Sequence, residues 1–230
     1  MGDVMPLLGK AAVAMWWDMA ADHRAEFEDW HSHEHFAERL RIPGFRRGSR
    51  WASATGGDGF FTMYELQSYD TLTSAAYFAR LNDPTPWSLK MMPRHANMVR
   101  SQCHVLETQG GGLAGAMLTI RLSPQPGRSD VLREHLRSVL CQLPQRAGVT
   151  AAHLLQTQTP AAATTTEQKI RGGADGVADW IVLVSGYEAQ VLLGLSANEL
   201  GASALDESGA VPGRISALYR LCYSMTPDDL

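Results

Sequence analysis

DHRAEFEDWHSHEHFAERLRIPGFRRGSR, residues 22–50, carries His23, His31, His33 and His35, half of the eight histidines in this 230-residue chain. The spacing reads as a helix over 22–41. Asp22 is a favoured N-cap residue, and no Gly or Pro intervenes before Pro43. Phe27, Trp30 or His31, Glu34 or Phe36, and Leu40 recur near the helical period. Pro43 and Gly44 stop the helix, because proline pushes the residue before it out of helical geometry.

On the N-terminal side, the apolar run at 10–18, KAAVAMWWD, is too short for a helix and reads as a strand. On the C-terminal side, 45–54 alternates as a strand. GGDG at 56–59 is a hairpin turn, and 60–67 is the next strand. A helix capped by Asp70 follows over 70–80. NDPTPW at 82–87 is a loop stiffened by Pro84 and Pro86, and a candidate lid. A short helix at 89–97 and a strand at 98–107 complete the order β-α-β-β-α-β, the ferredoxin-like arrangement. The glycines at 110–112 read as a linker, after which the pattern restarts. Strands at 113–122, 149–157, 178–186 and 214–225 alternate with helices at 128–142 and 188–206. Residues 159–177, rich in Thr, Ala and Gly, read as an exposed loop. The fold class is therefore α+β: two tandem ferredoxin-like halves, 1–109 with the histidine cluster and 113–230 without it.

Composition narrows the function classes. A net charge of -4 and a pI near 6.0 argue against nucleic acid, which selects for basic faces. The local basic cluster Arg39, Arg41, Arg46, Arg47 and Arg50 reads as a solvated strand end. Cys103, Cys141 and Cys222 are far apart, with no CxxC pair, which fits a reducing cytoplasm rather than a disulfide framework. The apolar N-terminal run is too short for a membrane span, which needs about 20 apolar residues.

The first half resembles the EthD-like branch of the dimeric α+β barrel superfamily. The resemblance is carried by Trp17-Asp18, Phe27-x-x-Trp30, Glu34-His35-x-x-Glu38-Arg39-Leu40, Ile42-Pro43-Gly44-Phe45, Arg50-Trp51 and Tyr64-Glu65-Leu66, over about 90 residues. The second half resembles the family only in element order. In that superfamily two four-stranded sheets pair into a barrel, usually by dimerisation. The resemblance thus implies a barrel closed within this one chain, and leaves a homodimer open. It also places the Glu34-His35 pair at the mouth of a cleft between sheet and helices. The superfamily spans monooxygenases, isomerases, cyclases, lyases and proteins without known activity, so the fold does not set the reaction.

The chemistry centres on His35 as general acid/base, since imidazole exchanges protons near neutral pH. His31, Glu34 and Glu38 share its helical face, and a neighbouring carboxylate is expected to orient the ring and raise its pKa. His33 points away at two-residue spacing. The bland alternative is that His35 stabilises the Pro43-Gly44 turn. His31, Glu34 and His35 also spell H-x-x-E-H, an inverted zinc-protease pattern, but the surrounding fold order argues against a protease and no metal is expected. His95, His104 and His153 are candidates for a haem ligand that nothing in the sequence singles out, and no cofactor is expected. Trp17, Trp51, Tyr64, Trp87 and Arg50 are the expected substrate-binding residues, on inward strand positions or in the 82–87 loop. The reading is a cofactor-independent enzyme on a small hydrophobic or aromatic metabolite, working by proton transfer. Its alternatives are a non-catalytic binding barrel or a haem- or metal-dependent oxidoreductase.

Overall fold

The computed structural model describes residues 7–57, 59–158, 164–172 and 175–230. Eight strands close one barrel in the order β1-β3-β2-β8-β5-β7-β6-β4. They are β1 (Ala11–Asp18), β2 (Phe45–Ser53), β3 (Gly59–Leu66), β4 (Ala96–Gly110), β5 (Ala116–Leu122), β6 (Val149–Thr157), β7 (Trp180–Gly186) and β8 (Ile215–Met225). Each run of four strands takes consecutive places, in the order fourth, first, third, second. The two runs join through β2 with β8 and β4 with β6, all antiparallel. The tandem ferredoxin-like reading is thus realised as one closed barrel, which removes every sheet edge.

Alternation along the strands sorts two sets of side chains. Ala12, Ala14, Trp16, Trp51, Phe61, Met63, Cys103, Leu155, Ile181, Leu183 and Tyr219 turn inward and fill the barrel. Trp16 and Trp51 each stack on Phe61, with ring centroids 5.0 and 5.2 Å apart. Val13, Met15 and Trp17 of β1 and Phe60, Tyr64 and Leu66 of β3 turn outward, under the helices. Burying each such large apolar side chain contributes about 1.5–3 kcal/mol.

Helices cover the outer face of each half. Over the first lie α1 (Ala21–Trp30), a π-helical turn at His31–His35, α2 (Phe36–Leu40), α3 (Ala75–Asn82) and α4 (Pro86–Met91). Over the second lie α5 (Ser129–Leu140), α7 (Ala189–Ala197) and α8 (Ala202–Glu207). The layer under α5, α7 and α8 is aliphatic apart from Trp180, with Leu118, Ile120, Leu132, Leu136, Val182 and Leu192 among its buried members.

Several boundaries differ from expectation for local reasons. Asp70 lies in a short 3-10 turn, and the helix after it starts at Ser74, whose hydroxyl accepts from the Tyr77 amide at 3.2 Å. Thr85 caps α4 in the same way, with Pro86 at the first helical position, where its missing N–H costs nothing. Trp87 therefore sits in a helical first turn, not in a lid loop. The expected 188–206 helix is broken near Asn198–Gly201 into α7 and α8. Gly56 and Gly57 take positive φ in the β2–β3 turn, and Asp58 lies outside the described residues. No helix among the described residues is long and apolar enough to cross a membrane.

The largest correction concerns 159–177. Residues 159–163 and 173–174 lie outside the described residues. Between them, Thr166–Ile170 form helix α6, opened by a capping box in which Thr165 and Gln168 satisfy each other's backbone N–H groups. Asn82 Oδ1 accepts from the Thr166 amide at 3.0 Å. Gly176 bridges to Val99, and the Arg100 amide donates to the Gly176 carbonyl at 2.8 Å. This piece of the second half is therefore docked on the first half.

Candidate active site

The site is built on one helical stripe: Phe27, His31, His35 and Arg39 stand four residues apart. The helix widens as it passes them, with the Phe36 amide donating to the His31 carbonyl five residues back. Such π turns are rare and recur at functional sites. The His31 and His35 rings stack with centroids 5.4 Å apart and planes 21° apart. Trp30 lies against His35, and Phe36 against His31.

Under this stripe is a cavity of about 50 Å³, room for roughly three to five water-sized molecules. Its floor is the outer sheet face, with Val13, Met15, Trp17, Tyr64, Met98 and Arg100. Its roof is Trp30, His31, His35 and Arg39, and one wall is Tyr77, Leu81 and His95. Glu167 and Arg171, from α6 and the residue after it, close the remaining side.

Charges here are paired, and one pair crosses the two halves. Arg39 donates to Glu167, and both are 4% exposed. Arg171 makes a two-pronged ion pair with Asp175, at 2.7 and 3.2 Å. Burial opposes the Arg39 charge, and the Glu167 carboxylate more than offsets it, raising the guanidinium pKa. Arg50 Nη1 lies 3.4 Å from His31 Nδ1 and 3.2 Å from the Glu28 carbonyl, over the face of Phe27. An arginine N–H can only donate, so this contact puts the His31 proton on Nε2.

Burial lowers the pKa of both His31 and His35 well below the usual histidine value. Arg50 adds to this for His31, and Arg39 for His35. His95 is pushed down to about 4, chiefly by burial. The expectation that a carboxylate raises the His35 pKa is therefore reversed. Glu38 Oε2 stands 3.8 Å from His35 Nδ1, beyond hydrogen-bond distance, and Glu38 also faces Arg80 at 3.4 Å. Burial pushes the Glu38 carboxyl up. Tyr64 is driven well above its ordinary range by burial and stays a neutral hydroxyl.

Four buried polar atoms of cavity-lining residues have no hydrogen-bond partner: Trp17 Nε1, His35 Nδ1, Arg39 Nη1 and Tyr64 Oη. Leaving such an atom unsatisfied costs about 1–3 kcal/mol.

Of the expected site residues, His31, His35, Trp17 and Tyr64 line the cavity. Glu34 does not face it: its carboxylate accepts from Trp30 Nε1 at 3.1 Å and Thr85 Oγ1 at 2.6 Å, tying the helix to α4. Glu38 does not line the cavity and stands beside His35 Nδ1. Trp51 points into the barrel, because the cavity lies outside the sheet and inward strand positions do not line it. Trp87 packs at the edge of the cluster around Trp17 and Phe27. Arg50 is behind His31 rather than on the cavity wall, and with Arg39 it is buried, so these two are not solvated strand-end residues. His33 is exposed and pairs with Asp29 at 2.8 Å. Among the described residues, no three His, Cys, Asp or Glu side chains are placed to hold a metal ion. Sequence reasoning missed Arg39, Glu167, Arg171, Tyr77 and Arg100 as cavity residues. Two signals were available: Arg39 continues the 31–35 stripe, and Thr165-x-x-Gln168 is a helix-start pattern.

Gly48 protects this arrangement. A Cβ there would lie 2.3 Å from the Phe36 ring and 2.9 Å from Tyr64. Gly48→Ala is expected to cost about 1–3 kcal/mol by overpacking, read from urea unfolding. A change under about 0.5 kcal/mol would mean the Phe36 ring has room to move.

No protein-family model and no curated protein matches the sequence. Solved structures do match in shape. An anthrone oxidase-like protein superposes with a TM-score of 0.69 at 11% identity, over 99% of this chain and 98% of its own. A candidate monooxygenase from Fusobacterium nucleatum gives 0.60 at 7% identity, over 96% of each chain. A candidate chlorite dismutase gives 0.55 at 10% identity, over 93% of this chain and 95% of its own. The chain thus has the fold of the dimeric α+β barrel proteins, with both ferredoxin-like halves in a single polypeptide.

Proposed function

We propose that the chain is a cofactor-independent enzyme that removes a proton from an acidic carbon of a small aromatic or hydrophobic substrate, with His35 as the base. The observation that carries this reading is the convergence of four unpartnered buried polar atoms on the residues of one cavity. Three of them, on Trp17, Arg39 and Tyr64, are donors. Donors fixed in a buried site stabilise an oxyanion that forms there, because they need no reorganisation. His35 is neutral at pH 7, which a base requires. The proton it takes leaves an imidazolium beside the new enolate or phenolate, so the two charges compensate, and Glu38 Oε2 stands 3.8 Å from Nδ1.

Oxygenation suits this site as the fate of the carbanion, and one neighbour in fold is an anthrone oxidase-like protein. With dioxygen as co-substrate, conversion of a ring CH2 to C=O with release of one water balances. Placement in the EthD-like branch rests on the motif around Trp30, Glu34-His35 and Pro43-Gly44-Phe45. A haem does not fit these residues: the cavity is far smaller than a porphyrin, and of the three candidate ligands only His95 lines it, while His104 and His153 bond Gln158 and Thr108 elsewhere.

The test is solvent deuterium exchange into a panel of small single-ring hydroxyaryl ketones, followed by NMR, with oxygen uptake measured in parallel. Wild-type protein is expected to accelerate exchange, and His35→Asn to lower the rate by about 10²–10⁴ with unchanged circular dichroism. Equal exchange in the variant would remove His35 as the base.

A further inference from the structure

The cations of the cavity wall are not equally matched. Arg39 is neutralised by Glu167, and Arg171 by Asp175. Arg100 has no carboxylate within ion-pair distance among the described residues. The undescribed segments beside α6, residues 159–163 and 173–174, contain no acidic residue. The Arg100 guanidinium instead donates to the Tyr77 hydroxyl. That oxygen also lies 3.4 Å from Gln102 Nε2. With two donors turned toward it, the hydroxyl acts as acceptor and keeps its own proton free to donate. Tyr77 is 3% exposed and lines the same cavity. The wall therefore holds an excess of one positive charge, on β4, beside a spare hydroxyl donor, on α3.

We propose that Arg100 and Tyr77 form a subsite for an anionic substituent, and that the substrate is an aromatic ring bearing a carboxylate. The inference rests on the proposed proton-transfer reading for the location of the reacting carbon. The carboxylate sits on Arg100 and Tyr77, which leaves the ring's hydroxyl or carbonyl oxygen to the donors of Trp17, Arg39 and Tyr64. A carboxylate completes the charge balance of the wall, whereas a neutral ring leaves Arg100 without a counter-charge in a half-buried position.

The test is quenching of the cavity tryptophans, Trp17 and Trp30, by salicylate and by salicylamide, its neutral isostere. Charged hydrogen bonds contribute about 1.5–3 kcal/mol, so wild-type protein is expected to bind salicylate roughly ten-fold or more tightly than salicylamide. Arg100→Gln should abolish that preference by weakening salicylate about ten-fold more than salicylamide. Arg100→Lys should keep part of it. Tyr77→Phe, which keeps the ring, should weaken salicylate several-fold and serves if Arg100→Gln does not fold. Equal affinity for the two probes, a preference retained by Arg100→Gln, or no binding of either probe overturns the subsite. Deuterium exchange that depends on His35 while the salicylate preference is absent would leave the reaction standing and remove only the subsite. The reverse result would remove the reaction and leave the subsite.

Discussion

Glu167→Ala is expected to cost about 3–5 kcal/mol of folding stability, because it leaves the Arg39 charge buried without compensation. Both side chains are 4% exposed, and the pair joins residues 128 positions apart. For a chain of this size the melting temperature should fall by roughly 6–20 °C. The urea midpoint should drop without a change in slope if the barrel still unfolds as one unit. Arg39→Met combined with Glu167→Leu should recover most of the loss, since well-packed apolar pairs often replace buried ion pairs at no cost. The same double variant should remain inactive, because the Arg39 Nη1 donor is gone. A loss under about 1 kcal/mol for Glu167→Ala would mean that α6 lifts away and lets the guanidinium reach water.

Acid is expected to unfold the protein well above the pH at which its carboxylates titrate. His31, His35, His95 and His153 are all held below the ordinary histidine range by burial, and His95 and His153 are both near 4. The unfolded chain therefore binds more protons than the folded one between pH ~6.5 and ~4. Their contribution to stability is complete above pH ~6.5 and is lost as pH falls through that window. Each such group removes about 1.4 kcal/mol per pH unit. By pH 5, His95 and His153 together account for roughly 4 kcal/mol, and His31 and His35 add to it. Against a typical total of about 5–15 kcal/mol, cooperative loss of circular dichroism is expected between pH 6 and 4.5. His153 lies inside the barrel, with Nδ1 2.8 Å from Thr108 Oγ1, away from the cavity. His153→Gln should make the acid limb shallower without touching the site. An unchanged melting temperature from pH 7.5 to 4.5 would show that these histidines are not buried neutral.

The helix at 22–41, the strand-length apolar runs and the doubled β-α-β-β-α-β order were legible in the chain because each is a local matter. Hydrophobic period, Pro43-Gly44 and the turn glycines act within a few residues, and they settle which segments form helices and strands. The helical stripe also made it legible that His31 and His35 share one face while His33 does not. The cap at Ser74 escaped because Asp70 offered a competing cap a few residues away, and the cap at Thr85 because Pro84 and Pro86 on either side read as a loop.

The site itself is a product of tertiary structure. Alternation says that Trp16 and Trp17 face opposite ways, yet not which face carries the cavity. Once the barrel closed on Trp16, Trp51 and Phe61, the space remained on the helix side, and Trp51 left the site while Trp17 and Tyr64 stayed. The histidine pKa values followed the same logic. A carboxylate one turn away suggests a raised value, but burial under Trp30 and the nearness of Arg39 outweigh Glu38 at 3.8 Å. Glu167 and Arg171 enter from the far half of the chain through a segment that reads locally as an exposed loop. The sequence by itself determined which segments form helices and strands, their order, and a single half bearing the histidine cluster. Only the folded chain decided which side of the sheet is hollow and which distant charges meet there, because burial and long-range pairing depend on contacts that no local spacing encodes.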